Sequence, residues 1–183
     1  MFWDRNPGLR DHWLLSDVAT EAIQPLLYVG RMVHFDAGQV IFWEGDASNR
    51  IYLLTAGSVQ VSAISAAGNV LLAVASANDV LGEMGVLDGQ PRSGTAMALE
   101  PTSAYVVPAE QFLELCERSP LVAMRILALL TARLRRNNGR LCELSGAWVT
   151  GSSEDLPAAG PASPNNESLA AQTPSELAET QPG

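Results

Sequence analysis

The residue types most able to bind a charged ligand lie together in the segment GEMGVLDGQPRSGTA, residues 82–96. Arg92 carries a planar guanidinium that suits a phosphate group, and Glu83, nine residues earlier, is a strong hydrogen-bond acceptor. Residues 82–87 predict one short helical turn, whose first amides have no intrahelical partner and can cradle an anion. The segment therefore predicts a phosphate site beside a carboxylate, for which a sugar hydroxyl is the natural donor.

Small residues extend this candidate site around the two charged side chains. Gly82 and Gly85 lack a Cβ and allow a ligand to approach the backbone closely. Ser93 adds a hydroxyl group, and Gly94 adds an unobstructed amide. The alternative is that the carboxylate and the guanidinium form an ordinary ion pair that closes a hairpin.

The segment resembles the phosphate-binding cassette of cyclic-nucleotide-binding domains. That pattern is Gly-Glu-aliphatic-Ala/Gly-aliphatic-aliphatic, three variable residues, then Pro-Arg-Ser/Thr/Ala-Ala-Thr/Ser. The matching positions are Gly82, Glu83, Met84, Gly85, Val86, Leu87, Pro91, Arg92, Ser93 and Thr95. The chain departs from the pattern at Gly94, where alanine is usual, and glycine is expected to loosen the loop. FDAGQVIFWEGDASNRIYLLTAGSVQVS is similar to the start of the family's β-roll, so the resemblance covers about residues 10–144.

The resemblance implies a cyclic nucleotide as regulatory ligand, with no cofactor. Arg92 would pair with the cyclic phosphate, and Glu83 would accept the ribose 2′-hydroxyl. Ser93 and the amides near Gly85 and Val86 would complete the phosphate shell. With only serine at the position where the family often uses a hydroxyl residue, we expect cAMP rather than cGMP. The alternative is a ligand-free dimeric scaffold with a degenerate cassette.

Short apolar runs separated by turn residues predict an antiparallel β-roll or jelly roll. The runs are RMVHF, QVIFW, RIYLL, SVQVSAI, NVLLAVA, TAMAL and TSAYVV. Alternation in SVQVSAI places Val59, Val61 and Ala63 on one face. An amphipathic helix is predicted from Ser16, as N-cap, to Leu27.

Helical periodicity returns after the strands, at Phe112, Leu115 and Cys116, and Ser119-Pro120 predicts the start of a long helix that ends near Leu144. The fold class is therefore α+β, a β-roll flanked by an N-terminal helix and a long C-terminal helix. The predicted division is an N-terminal helical segment (1–30), the β-roll (31–108), the C-terminal helices (109–144) and a disordered, acidic tail rich in Pro, Ala and Ser (145–183).

The long helix carries a stripe with alternating spacings of four and three residues. Its members are Ala123, Leu127, Leu130, Leu134, Asn137, Leu141 and Leu144. This spacing predicts a homodimer through the helix at 120–144, and the alternative is that the stripe packs on the β-roll. In the catabolite-activator branch, the corresponding helix dimerises and offers polar side chains to the base, and Asn137 and Asn138 fall near those positions. If the helix ended at Gly139, the two asparagines would be terminal residues only.

The same helix carries four arginines within an arc of roughly 80°, at 100° per residue. They are Arg125, Arg133, Arg136 and Arg140. We interpret this arc as the solvated outer face of a dimer helix rather than as a nucleic-acid contact.

The overall charge argues against nucleic acid and membranes as partners. The formal net charge is −9 at pH 7, whereas nonspecific binding of nucleic acid needs a basic face. All 11 basic residues are arginines, which excludes lysine nucleophiles. We find no secretory signal and no apolar run of about 18 residues, so the expected location is the cytoplasm.

A third alternative is an enzyme on a jelly-roll scaffold. His12 and His34 match no metal-ligand spacing, and Cys116 and Cys142 form no CxxC motif. We therefore expect no catalytic residue, no metal and no enzymatic activity. No segment resembles the winged helix-turn-helix that bacterial regulators of the family carry after the long helix. The expectation is a stand-alone sensing module that acts on an unidentified protein effector without binding DNA directly.

Overall fold

The computed structural model describes residue 9, residues 11–66 and residues 68–149, the last seven of these as helical backbone only. The helices are α1 (Thr20–Val29), α2 (Glu83–Asp88), α3 (Ala109–Arg118) and α4 (Pro120–Val149). The strands are β1 (Arg31–Phe35), β2 (Val40–Phe42), β3 (Arg50–Ala56), β4 (Ser58–Ser65), β5 (Gly68–Ser76), β6 (Val80–Leu81), β7 (Thr95–Ala98) and β8 (Thr102–Pro108). The predicted tail lies outside the described residues from residue 150 onward.

The strands form two four-stranded antiparallel sheets, in the orders β1-β8-β3-β6 and β2-β7-β4-β5. One apolar core contains side chains of both sheets, among them Leu54 of the first and Val59 and Ala96 of the second. The α+β fold predicted from the sequence, a β-roll with flanking helices, is confirmed. The short strand β6 has no counterpart among the predicted strands, because two residues are too few to display a periodicity.

A second apolar core, which we call the helix-side core, lies between the first sheet and the helices. Ile23 of α1, Phe112 of α3 and Ile126 of α4 pack there with residues of β3 and β8. Tyr105 anchors α1 to the sheet because its buried hydroxyl donates a hydrogen bond of 2.9 Å to the Leu27 carbonyl oxygen. Burial raises the pKa of Tyr105 to about 12, so the phenol stays a donor at physiological pH.

Two local predictions from the sequence are wrong. Helix α1 begins at Thr20 rather than after Ser16, because Asp17 adopts a left-handed conformation (φ 59°) that a helix does not accommodate. In β4, Val59 and Val61 pack in the core between the two sheets as predicted, but Ser62 is buried and Ala63 only half-buried, so the predicted alternation fails after Val61. The neighbouring strand β5 has a β-bulge at this point, because Val61 pairs with Ala73 whereas Ser62 pairs with Leu71, which makes Leu72 an extra residue of β5 between these two pairs.

Helix α4 begins at Pro120 as predicted and continues through Gly139 to Val149, five residues beyond the predicted end. The sequence offers no proline to stop it before Pro157. The asparagines at 137 and 138 are therefore not terminal residues. Val122 and Ile126 pack in the helix-side core, whereas Leu127 and Leu134 of the predicted seam are 56% and 61% exposed. The alternative that the seam leucines pack on the β-roll is therefore wrong for these two.

The chain before α1 forms an irregular segment, residues 11–19, which we call the N-terminal loop. His12 is fully buried within it. Its Nδ1 accepts a hydrogen bond from the Leu14 amide (3.3 Å), and its Nε2 lies 3.2 Å from the Asp79 carbonyl oxygen. These partners require a neutral ring with the proton on Nε2, and burial lowers the pKa of His12.

Within the described residues, no helix is long and apolar enough to cross a bilayer.

The buried neutral histidine predicts a loss of stability in mild acid. The unfolded chain takes up a proton on His12 near its ordinary pKa of 6.5, whereas the folded chain does so only at lower pH. The unfolded state therefore binds more protons, and the free energy of unfolding falls as the pH drops below 6.5. Urea unfolding between about pH 5 and pH 8 measures this slope. His12→Gln should flatten the slope, and the matched change at the exposed His34, His34→Gln, should leave it as in the wild type. Equal slopes for the wild type and His12→Gln would contradict the assignment.

Candidate ligand-binding site

A pocket lies where α2 faces the loop between α2 and β7. Its lining includes seven residues that the sequence predicted: Gly82, Glu83, Met84, Gly85, Arg92, Ser93 and Gly94. It also includes Phe42, Val61, Leu81 and Arg133, which were not predicted. The Val86 side chain packs in the helix-side core, so only its amide is available to a ligand. Asn137 and Asn138 lie on α4 with exposed side chains.

Arg92 is the central cation of the pocket and is only 4% exposed. Its Nη1 donates to the Gly82 carbonyl oxygen (2.9 Å), and its Nη2 donates to that of Arg50 (2.6 Å). Its Cζ stands 4.4 Å from the centre of the Phe42 ring, a cation–π contact. Burial lowers the pKa of Arg92, although a guanidinium remains charged at neutral pH.

The charge of Arg92 is not neutralised within the described part of the chain. No carboxylate there lies within ion-pair distance of it. Its buried Nε has no hydrogen-bond partner. A buried cation with an unused donor is costly unless an anion completes its shell. The geometry therefore suits the binding of an anionic group at Arg92.

Backbone contacts hold Arg92 in this position. Its amide donates to the Asp46 carbonyl oxygen and its own carbonyl oxygen accepts from the Gly45 amide, both at 2.9 Å. Gly82, with φ 81°, precedes α2 in a left-handed conformation, and a Cβ there would lie 2.1 Å from Nη1 of Arg92. The absence of a side chain at this position makes room for the guanidinium rather than for a ligand, so the role predicted for Gly82 is wrong.

Glu83 is the second buried charge, with 1% exposure. Its Oε1 forms an ion pair with Nη1 of Arg133, and Nη2 of Arg133 donates to the Val80 carbonyl oxygen at 2.6 Å. The alternative of a Glu83–Arg92 ion pair closing a hairpin is therefore wrong. The two buried charges of the cassette have separate partners, and only the carboxylate is paired.

The interpretation of the arginine arc as a solvated outer face is wrong for two of its members. Arg133 lines the pocket, and Arg125 bonds to backbone carbonyl oxygens of the N-terminal loop. The signal was present in the sequence, because Arg133 follows the core-facing positions Val122, Ile126 and Leu129 at spacings of four and three residues. A helix face that is apolar for two turns and then carries an arginine brings that arginine to the border of the core.

Gly94, the departure from the family pattern, is required by a close approach rather than free to loosen the loop. A Cβ at this position would lie 2.8 Å from the Ser62 carbonyl oxygen and 3.3 Å from a methyl carbon of Leu72. Ser62 and Leu72 lie at the bulge between β4 and β5. The β4 backbone and the bulged residue of β5 therefore lie against the loop and leave no room for alanine.

The pocket is small, with a volume of about 60 Å³. Sites for whole small molecules have volumes of about 300–1,000 Å³. The Arg133 side chain reaches across the pocket to Glu83, and Ser93 is exposed, with its hydroxyl 4.0 Å from the sulfur of Met84. A ligand larger than a phosphate group therefore requires side chains to move.

The described residues contain no group of three His, Cys, Asp or Glu side chains that could hold a metal ion. His12 lies in the N-terminal loop, and His34 lies on β1 with its Nδ1 2.8 Å from the hydroxyl of Ser103. Cys116 and Cys142 are free thiols, and burial raises the pKa of Cys116 to about 11.

Comparison with known proteins identifies the family. Residues 32–119 match the family model of the cyclic nucleotide-binding domain. The chain is 33% identical over 133 residues to the cyclic AMP receptor protein of Thermus thermophilus, covering 72% of this chain and 62% of that protein. It is also similar to two crystal structures. The Thermus thermophilus catabolite activator protein has 33% identity and a TM-score of 0.62, over 72% of this chain and 62% of that chain. A cyclic nucleotide-binding domain from Methylobacillus flagellatus has 26% identity and a TM-score of 0.64, over 78% and 83%.

Residues 32–119 therefore match the cyclic nucleotide-binding domain family, as the resemblance of the cassette predicted. The domain is a regulatory module, and the pocket described above coincides with the cassette. The chain spans 62% of the length of the curated relative that it matches.

The buried Glu83–Arg133 pair predicts a cost for removing one partner alone. Arg133→Gln leaves the Glu83 carboxylate without its cation, and we expect the free energy of unfolding to fall by about 1–3 kcal/mol. In the double variant Glu83→Gln/Arg133→Gln the carboxylate is replaced by a neutral amide. The double variant should therefore lose less free energy of unfolding than the sum of the losses in Glu83→Gln and Arg133→Gln. Urea unfolding of the four proteins measures the cycle. Additive losses would show that the two side chains do not interact in solution.

Proposed function

We propose that the chain is a cyclic-nucleotide sensor that binds cAMP in preference to cGMP and does no chemistry on it. Ligand occupancy passes through α4 to a separate protein effector, without direct contact to DNA or membrane, in the cytoplasm. The observation that carries the proposal is the buried Arg92 with its unpartnered Nε, beside an equally buried carboxylate. These two charges at one pocket fit the phosphate and the sugar of a single nucleotide.

The phosphate step rests on Arg92. Two of its nitrogens are engaged by carbonyl oxygens, and its buried Nε has no partner, so the guanidinium keeps hydrogen-bonding capacity for an anion. The first amides of α2, at Met84, Gly85 and Val86, and the hydroxyl of Ser93 and amide of Gly94 surround the remaining oxygens. A charge-assisted contact at a buried guanidinium is stronger than the same contact in water.

The sugar step rests on Glu83. Its Oε1 is paired with Arg133, so the ribose 2′-hydroxyl and Arg133 are alternative partners of one buried carboxylate. Because the pocket is also too small for a whole nucleotide, ligand entry displaces the Arg133 side chain. A ligand shifts a conformational equilibrium only by its differential affinity for two states. Exchange of partners at Glu83 supplies such a difference, because Arg133 belongs to α4.

The output step rests on α4. We propose a homodimer in which the exposed Leu127 and Leu134, together with Leu141 (61% exposed), form a parallel helix seam. Asn137 and Asn138 would read the base, as the resemblance to the catabolite-activator branch implies. The name of the 33% identical relative, a cyclic AMP receptor protein, supports cAMP as the ligand.

Arg92→Ala tests the proposed function at its centre. The variant removes a charge-assisted contact and leaves the ligand phosphate poorly paired. The cost should be on the order of 2–5 kcal/mol, or about 30- to several-thousand-fold in affinity. Calorimetric titration with cAMP and with cGMP measures it. Arg118→Ala is the matched control, because Arg118 is an exposed arginine of α3 paired with Glu114.

Binding by Arg92→Ala within threefold of the wild type would show that Arg92 is not the phosphate ligand. A clear tenfold preference for cGMP would overturn the choice of cAMP. No binding of either nucleotide by the wild type would favour the degenerate cassette of a ligand-free scaffold.

The double variant Asn137→Ala/Asn138→Ala tests the output step. It should retain much of the binding, because the phosphate and sugar contacts lie at the cassette. It should also reduce the ligand-dependent change between the two helices of the dimer. A spin-label distance between the two copies of α4, measured with and without cAMP, reports that change. An unchanged distance shift in the double variant, or a monomeric wild type, would contradict this step.

A further inference from the structure

The N-terminal loop is fastened to the turn that leads into the cassette. The Trp13 amide donates to the Asn78 side-chain oxygen (3.0 Å), and the Trp13 indole nitrogen donates to the Asn78 carbonyl oxygen (2.6 Å). His12 adds the contact with the Asp79 carbonyl oxygen. Asn78 and Asp79 directly precede β6, which ends one residue before Gly82. The loop is therefore joined to the backbone that positions Glu83, although none of its residues lines the pocket.

The same loop is fastened to α4. The Arg125 guanidinium donates to the carbonyl oxygens of Leu14 and Ser16 and pairs with Asp17 at 3.4 Å. The guanidinium thus spans the bend of the loop that the left-handed Asp17 creates. Arg125 lies eight residues before Arg133 on the same helix. Eight residues correspond to about 2.2 helical turns, so the two arginines lie roughly 80° apart around α4, within the same half of its circumference.

These contacts close a ring of three segments. Arg133 joins α4 to Val80 and Glu83, residues 78–80 join the cassette to the N-terminal loop, and Arg125 joins that loop back to α4. The segments that connect the three junctions are short and pack on the helix-side core. Leu14 of the loop is fully buried there.

We propose that the N-terminal loop holds Arg133 on Glu83 and thereby lowers the resting affinity of the cassette for its nucleotide, with Trp13, Asn78 and Arg125 as positioning residues. The inference rests on the proposed function for its ligand, and it assigns the regulation of that site to a segment outside it. The ion pair with Arg133 occupies the Glu83 carboxylate and keeps the pocket small. The fraction of molecules with Glu83 free for the sugar therefore sets the apparent affinity.

The sign of the effect separates this role from a structural one. A variant that only damages the fold weakens ligand binding or leaves it unchanged. A variant that opens the ring raises the fraction of open molecules and so tightens binding. Arg125→Gln removes the charge that binds the N-terminal loop and leaves every residue that lines the pocket unsubstituted. Arg135→Gln is the matched control, because Arg135 is an exposed arginine of the same helix.

The first measurement needs no ligand. Hydrogen exchange of the amides at residues 80–86 should become about three- to tenfold faster in Arg125→Gln, a shift typical of coupled networks. Amides of β4, in the other sheet, serve as the internal reference and should be unaffected. Trp13→Phe, which removes only the indole donor, should give the same pattern if Arg125→Gln folds poorly. Unchanged exchange at 80–86 in both variants, or a uniform increase that includes β4, would overturn the proposal.

The second measurement is a calorimetric titration with cAMP. Arg125→Gln should bind about three- to tenfold more tightly than the wild type and than Arg135→Gln. In an Arg133→Gln background the ion pair with Glu83 is already absent, so Arg125→Gln should change the affinity for cAMP by less than about twofold. Weaker or equal binding by Arg125→Gln would overturn the proposal while leaving cAMP binding intact. If the wild type binds no cAMP, the proposed function fails, and the exchange measurement still decides whether the loop holds Arg133 on Glu83.

Discussion

The site depends on one constraint, a guanidinium that is buried without a carboxylate beside it. Arg92 is held by two carbonyl oxygens and the face of Phe42, and its Nε is unused. Pairing it with Glu83 would have satisfied both charges and closed the pocket to an anion. Because Glu83 pairs with Arg133 of α4 instead, Arg92 has no carboxylate partner among the described residues, and Glu83 becomes the point where cassette and helix meet.

Much of this arrangement could be predicted because it is encoded locally. The spacing from Gly82 to Thr95 contains the α2 turn and the loop that returns to β7, so the cassette residues come together without distant contacts. The strand runs were recognisable because each is a short apolar segment bounded by turn residues. Proline at 120 fixed the start of α4, since proline is well suited to the first position of a helix.

The remaining features depend on contacts between distant segments. Arg133 reaches Glu83 across 50 residues, and only the packing of α4 determines which of its faces meets the cassette. The need for glycine at 94 follows from the close approach of the β4 backbone and of Leu72, at a bulge in β5, which no local pattern indicates. Ser16 has the chemistry of an N-cap, but Asp17 adopts a left-handed conformation where Arg125 grips the loop. Tertiary contacts overrode local preference at each of these positions.

The most direct test of the account compares two ligands and two proteins. The wild type and Glu83→Gln are titrated calorimetrically with cAMP and with its 2′-deoxy analogue, which differ only in the hydroxyl assigned to Glu83. The account predicts that the wild type binds cAMP at least about fivefold more tightly than the analogue, and that Glu83→Gln largely abolishes this preference. Equal binding of the two ligands by the wild type, or the same preference in both proteins, would contradict it.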